Sequence, residues 1–195
     1  MRFVSAELNC HLSKPAETNR VVKTNYTGGA GWFDLALRRA MPGASIDHSG
    51  ELFRIVYASR AILPVLAKFE ATVEEILVQA QPNNAKLGVT GLLLAHQGWF
   101  LQALEGPRRN VSQIFGSIGR DLRHAQLELM VGSPAHERLF GRWSMCGRAV
   151  TPSSEPILTT LDLARDFDPF KMDSDTALRL LTAIAKVAPT PSQSC

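Results

Sequence analysis

The stretch that most constrains the fold runs over residues 84–106 of this 195-residue chain. An apolar run at 89–95 and an alternating run at 99–105 are separated by a short segment ending in Gly98, a pattern that predicts a β-hairpin. Because side chains alternate across a strand, Gln102 shares one face with the large apolar residues two positions before and after it. A buried amide without a hydrogen-bond partner costs about 1 to 3 kcal/mol. Gln102 is therefore predicted either to bind a ligand or to lie at a sheet edge in water.

The composition excludes several classes of protein. With 45% apolar and 20% charged residues, the chain is typical of a soluble globular protein. The net charge of +3 is not gathered into a basic stripe, so we expect no direct nucleic-acid binding. The three cysteines lie far apart and form no CxxC pair, so neither a metal site nor a dithiol centre is expected. No apolar run could span a membrane and no secretory signal is evident, which predicts a cytoplasmic location.

The chain is predicted to have three parts. Residues 1–50 are rich in small and polar residues and are expected to form a disordered leader, with Met41 as the natural start. Residues 51–150 are expected to form the ordered domain. Residues 151–195 are predicted to be a linker and a C-terminal helical extension with a short tail.

Within residues 51–150, strand-like and helix-like patterns alternate. A capping box from Thr72 to Glu75 predicts the start of the first helix, and Pro82 with the asparagines after it predicts its end. Pro107 favours the first turn of a second helix, whose apolar stripe extends to Leu122. The predicted strands are 52–58, 89–95, 99–105, 127–131 and 142–150.

This order predicts an α+β, ferredoxin-like fold, in which a five-stranded mixed sheet carries both helices on one face. Two short helices are expected further on, at 157–167 and 176–187, and the second is amphipathic. Because a helix of that length is marginal alone, we expect it to pack on the uncovered face of the sheet or on a partner.

Five residues stand out against this scaffold, and each has an ordinary structural explanation. Tyr57, ending the first strand, could be a core tyrosine, and Asn84 a turn residue after the helix. Trp143 and Met145 on the last strand could simply pack in the core, and Gln102 could lie at an edge.

Taken together, these residues resemble a family pattern in type, order and spacing. The chain resembles the BLUF domain, the blue-light sensor using FAD, over about residues 52–150. The segments that carry the resemblance are Tyr57-Ala58-Ser59, Asn84, Thr90-Gly91-Leu92-Leu93-Leu94, Gly98, Phe100-Leu101-Gln102, Leu104-Glu105-Gly106, Arg120-Asp121-Leu122-Arg123-His124 and Phe140-Gly141-Arg142-Trp143-Ser144-Met145.

The resemblance implies a role for each matching residue. Tyr57 would donate an electron and a proton to the excited flavin, and Gln102 would bridge Tyr57 and the flavin N5/O4 edge. Asn84 would bond the flavin carbonyl edge. Arg123, on the second helix, would meet the pyrimidine carbonyl, and Asp121 would help to fix the ring or the ribityl chain. Trp143 and Met145 would form the signal relay on the last strand.

Walls for a flat ring could come from two helical stripes, the first made of Val73, Ile76 and Leu77 and the second of Ile114, Phe115 and Ile118. The residue before the key asparagine is Asn83, where some family members carry histidine, so stacking on the ring there is expected to be weaker.

The implied function is non-enzymatic light sensing, with a rearranged Gln102 signalling to a downstream protein and homo-oligomer formation expected. Two alternatives stay open. A ferredoxin-like module that binds nucleic acid or protein without flavin would need exposed aromatic residues and a basic groove. A flavin oxidoreductase would need a nicotinamide site or redox cysteines, and the sequence carries no fingerprint for either.

Overall fold

A computed structural model describes residues 51–141, the backbone of residues 144–149, and residues 167–187. The predicted leader with Met41, the linker after residue 150, and the predicted helix at 157–167 except its last residue lie outside the described residues. Trp143 lies outside them as well. These predictions therefore stay predictions.

One sheet with helices on both faces forms the described part of the chain, which confirms the α+β class. Its strand order is β4-β1-β3-β2-β5, with β1 antiparallel to β3 and β4, β2 antiparallel to β3, and β5 parallel to β2. The strands are β1 (Leu52–Ala61), β2 (Thr90–His96), β3 (Trp99–Pro107), β4 (His124–Pro134) and β5 (Ser144–Ala149). The helices are α1 (Leu63–Leu66), α2 (Phe69–Lys86), α3 (Arg108–Ile118) and α4 (Ser174–Val187).

The predicted hairpin is present as β2 and β3, joined by a tight two-residue turn. Gln97 and Gly98 have φ angles of 50° and 79°, as a turn matched to the right-handed twist of the strands requires. The strands lie so close together that Gly91 cannot carry a side chain, since a Cβ there would lie 2.2 Å from the carbonyl oxygen of Ala103. Glycine in the Thr90-Gly91 pair is therefore a packing requirement of the hairpin.

The first long helix, α2, differs from its predicted bounds at both ends. It begins at Phe69, and Thr72 is buried inside it with its backbone N–H donating to the carbonyl of Lys68 at 3.0 Å. The predicted capping box is therefore wrong, because packing against the core begins one turn earlier. Pro82 does not end the helix either, since it lies on the exposed side and removes only the bond to the exposed Val78.

The second long helix, α3, follows Pro107 as predicted and buries Val111, Ile114 and Phe115. Leu122 was predicted to extend this stripe, but α3 ends at Ile118 and the Leu122 side chain is 86% exposed. The strand after it is longer than predicted, because β4 pairs with β1 over residues 124–134.

The two faces of the sheet are covered by different helices. On one face, Tyr57 and Leu104 pack with the buried stripe of α3. On the other face, α4 buries Ala177, Leu180, Leu181 and Ile184 against the sheet, which confirms that this amphipathic helix packs on the face that α2 and α3 leave open. Among the residues that the structure describes, no helix has both the length and the apolar composition needed to cross a bilayer.

Candidate functional site

A cavity of about 260 Å³ lies where α2 and α3 meet the sheet. Because both helices cover this face, β1, β2 and β3 supply its floor, and the helices contribute its walls. The residues that line it are Tyr57, Ser59, Ile76, Gln79, Ala80, Asn83, Asn84, Leu93, Phe100, Gln102, Ile114, Ser117, Ile118, Asp121, Arg123 and His124.

Tyr57 and Gln102 form a buried hydrogen-bonded pair at the floor of the cavity. They are direct Cα partners on the neighbouring strands β1 and β3, so both side chains point to the same face. The Tyr57 hydroxyl donates a hydrogen bond to Gln102 Oε1, and the two residues are 4% and 2% exposed. The ring of Phe115 packs on the Tyr57 ring with centroids 5.3 Å apart. Gln102 is thus an interior residue rather than an edge residue.

Burial keeps Tyr57 protonated. Desolvation raises the pKa of its phenol far above the ordinary value, and the negative charge of Asp121 raises it further. The hydroxyl therefore holds its proton at any physiological pH and can donate it to Gln102.

Two further polar groups are buried at the cavity without protein partners. Asn84 Nδ2 and Ser59 Oγ have no hydrogen-bond partner among the residues that the structure describes, and the two side chains are almost fully buried. Such groups cost about 1 to 3 kcal/mol each unless a ligand satisfies them. Because both residues line the cavity, their free hydrogen-bonding capacity is available to a bound molecule.

Asn84 reaches the cavity from a position that differs from the prediction. It lies in the last turn of α2 rather than in a turn after the helix. Its carbonyl oxygen accepts the N–H groups of Leu87 at 3.1 Å and Val89 at 2.9 Å, which ties the end of the helix to the residue before β2. The amide is therefore held on a rigid element.

Asp121 and Arg123 form an ion pair at one end of the cavity. Arg123 Nη2 lies 2.6 Å from Asp121 Oδ2 and also donates to Gln79 Oε1 on α2 at 3.3 Å. Partial burial acts to raise the pKa of the Asp121 carboxyl. Hydrogen bonds from the Arg123 side chain and backbone outweigh this effect, so the pKa lies below its ordinary value. Arg123 was predicted on the second helix; it lies after the end of α3, directly before β4.

His124, which follows this pair, is a neutral donor. Burial lowers its pKa, although its contact with the Ile118 carbonyl acts in the opposite direction. The ring Nε2 lies 2.9 Å from that carbonyl oxygen, so Nε2 carries the hydrogen and Nδ1 is a bare acceptor. Nδ1 is buried and has no partner within the described part of the chain.

The structure thus brings together all five residues predicted to bind a cofactor, namely Tyr57, Asn84, Gln102, Asp121 and Arg123. Of the predicted signal relay, Met145 belongs to β5 by its backbone, and Trp143 lies outside the described residues. Of the predicted wall residues, Ile76, Ile114 and Ile118 line the cavity, whereas Val73, Leu77 and Phe115 pack behind it.

Several residues that line the cavity are not marked as ligand-binding groups by any sequence motif. Ser59 could have been, because it lies two positions after Tyr57 on the same strand and so faces the same way. Gln79 and Ser117 carry no such signal, because only the packing of α2 and α3 turns them towards the cavity. Asn83 also lines it, although its side chain is largely exposed.

The cavity suits a flat aromatic ligand with one polar edge. Aliphatic side chains from both helices contribute to the walls. Polar groups come both from the strands, at Tyr57, Ser59 and Gln102, and from the end of α2, at Asn84. An isoalloxazine ring has this character, with carbonyl oxygens and N5 along one edge and apolar faces. The unpartnered Asn84 Nδ2 and Ser59 Oγ are the groups that such an edge would satisfy, so the residues present fit a flavin.

Comparisons with known proteins agree with this chemistry. The model of the BLUF family, described as sensors of blue-light using FAD, matches residues 52–146. The chain is 30% identical over 129 residues to the photoactivated adenylate cyclase subunit beta of Euglena longa, covering 65% of this chain and 14% of that protein. It is 36% identical over 73 residues to the blue light- and temperature-regulated antirepressor BluF of Escherichia coli (strain K12), covering 37% of this chain and 18% of that protein. The chain therefore spans only a small part of the length of either relative.

Two solved structures match this chain over nearly their whole length. The dark state of BlrB, described as a BLUF protein, superposes with a TM-score of 0.54 at 30% identity, covering 69% of this chain and 98% of that chain. The photo-activated state of BlsA shares the fold with a TM-score of 0.61 at 24% identity, covering 73% and 99% of the two chains. This chain belongs to the BLUF family, the sensors of blue light that use FAD.

Proposed function

We propose that the protein is a blue-light photoreceptor that binds FAD non-covalently in the cavity between α2, α3 and the sheet. The observation that carries the proposal is the buried Tyr57–Gln102 hydrogen bond beside the unpartnered Asn84 Nδ2. Asn84 would bind the carbonyl edge of the ring, and Gln102 the neighbouring N5 edge. Asp121 and Arg123 would hold the pyrimidine side or the ribityl chain.

Flavin bound there would supply absorption of blue light and a transient acceptor for one electron. Tyr57 would give up this electron and its hydroxyl proton, and Gln102 Oε1 is the nearest acceptor for that proton. When the electron and the proton returned to Tyr57, Gln102 would keep a different arrangement, because a primary amide can exchange donor and acceptor roles by rotation or tautomerisation. The changed hydrogen bonds of Gln102 would be the stored signal.

The signal would leave through β5, which carries Met145 and follows Trp143 in the chain. An element with two arrangements is required for output, and β5 is held to the sheet by pairing with β2 alone among the described strands. We propose that output reaches a partner protein or a second copy of the chain rather than a reaction catalysed by this domain. We also class the fold as ferredoxin-like, from the order β1, α2, β2, β3, α3, β4.

The test is the absorbance spectrum of the purified protein before and after a blue flash. We expect a yellow protein with bound FAD, identified after release by denaturation, and a small reversible shift of the flavin bands to the red. A colourless protein that does not take up added FAD would refute the proposal. A flavin that is bleached, rather than shifted, would support a flavin oxidoreductase instead.

A further inference from the structure

We propose that Glu105 is a positioning residue that couples the strand carrying Gln102 to β5. It would do so by holding residues 137–140, the segment before β5, against the end of β3. The inference rests on the proposed photoreceptor function and extends it to the path by which the site reaches the rest of the molecule.

Glu105 is a fully buried carboxylate with three donors. Its side chain is 0% exposed, and Arg54 Nε, on the partner position of β1, donates to Oε1 at 2.6 Å. The backbone N–H of Leu139 donates to Oε1 at 3.1 Å, and that of Phe140 donates to Oε2 at 3.0 Å. One carboxylate thus binds two consecutive backbone amides of the segment 137–140, as well as its counter-ion. A buried charge is retained only with such partners.

Arg138 makes a second connection from the same segment. Its Nη1 donates to the carbonyl oxygen of Glu105 at 2.8 Å and to Thr90 Oγ1 at 2.7 Å, and its Nη2 donates to the carbonyl oxygen of Gly88 at 2.9 Å. Arg54 Nη2 also donates to the carbonyl oxygen of Glu137 at 2.9 Å. The segment is therefore fixed both to the end of β3 and to the start of β2.

The position of Glu105 on β3 connects the cavity to the opposite face of the sheet. Gln102 faces the cavity, and because side chains alternate, Glu105 three residues later points to the other face. There Phe140, which is fully buried, packs in the same cluster as α4. Four residues further along, Ser144 begins β5 as the partner of Gly91 on β2. A displacement of β3 at Gln102 would therefore be passed through Glu105 to both β5 and the face that α4 covers.

Replacing the carboxylate by an amide would break this connection without removing volume. The carboxylate accepts on both oxygens, whereas the amide of Glu105→Gln accepts on one and presents an NH2 group to a donor on the other. The matched control is Glu137→Gln, the same change on an exposed side chain in the same segment. Glu137 takes part in the network by its backbone carbonyl oxygen, which the control retains.

The experiment is hydrogen–deuterium exchange of the flavin-loaded full chain, in the dark and under blue light, read over residues 137–149. Loss of charge-assisted bonds predicts amide exchange at Leu139 and Phe140 about ten- to a hundredfold faster in Glu105→Gln than in the wild type in the dark. Under light, we expect the wild type to change its exchange over 137–149 and Glu105→Gln to lose that change, while its flavin bands still shift. Glu137→Gln should match the wild type in both.

Unchanged dark exchange in Glu105→Gln, or a light-induced change of wild-type size, would overturn the inference. Should Glu105→Gln fail to fold, Arg138→Gln removes the second connection from an exposed residue, and a wild-type light response in that variant would likewise overturn it. The dark comparison needs no photochemistry. A wild-type protein that shows no flavin shift would therefore refute the proposed function. The dark exchange of Leu139 and Phe140 would still test the role of Glu105 by itself.

Discussion

Tyr57 and Gln102 are direct partners across β1 and β3, and the Tyr57 hydroxyl donates to the Gln102 side-chain oxygen on the buried floor of the cavity. This contact joins a phenol to an amide on the same face of the sheet, and that amide can both accept a proton and reorient. Its geometry is set by strand register, so it does not depend on a flexible loop.

Removing either partner should abolish the light response while leaving the flavin bound. We expect Tyr57→Phe and Gln102→Ala each to give a yellow protein without a light-induced shift, because the first lacks the transferable proton and the second lacks its acceptor. The measurement is the difference spectrum after a blue flash. Tyr26→Phe, at the chain's other tyrosine, is the control and should respond normally. A normal photocycle in Tyr57→Phe would contradict the assignment.

Asn84→Ala should weaken flavin binding about tenfold with little loss of folding stability, since Nδ2 bonds nothing among the described residues. Asn110→Ala is the contrasting variant. Asn110 Nδ2 donates to the Leu87 carbonyl oxygen at 2.8 Å, and Asn110 does not line the cavity. Asn110→Ala should therefore lower the free energy of unfolding by about 1 kcal/mol without changing flavin affinity. Flavin titration and urea unfolding of both variants separate the two effects. Equal flavin affinity in Asn84→Ala and the wild type would remove Asn84 from the site.

Replacing glycine by alanine should change the stability of the protein in opposite directions at two positions, Gly91 and Gly116. At Gly91 the Cβ would lie 2.2 Å from the Ala103 carbonyl oxygen, so Gly91→Ala should destabilise the protein by about 1 to 3 kcal/mol. At Gly116, inside α3, the nearest atom beyond the local helix backbone is Arg120 Nη1, 3.8 Å from the added Cβ, so Gly116→Ala should stabilise the protein by about 0.5 to 1 kcal/mol through helix propensity. Thermal or urea unfolding measures both, and a stable Gly91→Ala would mean that the hairpin is packed more loosely than described.

Stability should fall as the pH drops below about 6.5, the ordinary pKa of histidine. Burial lowers the pKa of His124 in the folded chain, so just below the ordinary histidine pKa the unfolded chain binds a proton at this residue and the folded chain does not. Its contribution is complete above the unfolded pKa and is lost as the pH falls towards the folded value, at up to about 1.4 kcal/mol per pH unit. The Asp121–Arg123 pair adds nothing in this range, because the lowered pKa of Asp121 keeps it ionised.

The measurement is urea unfolding at about pH 7.5 and about pH 5.5, on either side of the histidine pKa. His124→Gln should reduce the difference in unfolding free energy between the two conditions, because it removes the buried imidazole. His136→Gln, the same change on an exposed side chain, is the matched comparison. An undiminished difference in His124→Gln would assign the pH dependence to other groups.

Elements with a short-range period in the sequence agree best with the structure. The alternation on β3 predicts which side chains share a face, and the apolar stripe of α3 predicts which side chains are buried, because the repeat of a strand or a helix fixes direction without knowledge of neighbours. That both faces of β3 are covered is a result of the tertiary structure. Helix ends agree least well with the pattern in the sequence. Thr72 has the right spacing for a cap, yet it is buried inside α2, since burying Val73 beside it outweighs one capping bond.

By itself, the sequence determined the hairpin, the alternation of side chains along its strands, and the amphipathic helices α3 and α4. The pairing of β1 with β3 decided that Tyr57 and Gln102 face the same side of the sheet. Only the tertiary structure decided that Asn84 is held in the last turn of α2, that Leu122 faces solvent, and that Glu105 joins β3 to the segment before β5. The reason is physical. Periodicity is a property of consecutive residues, whereas a helix end, an exposed position or a buried ion pair depends on which distant groups compete for the same space and the same hydrogen bonds.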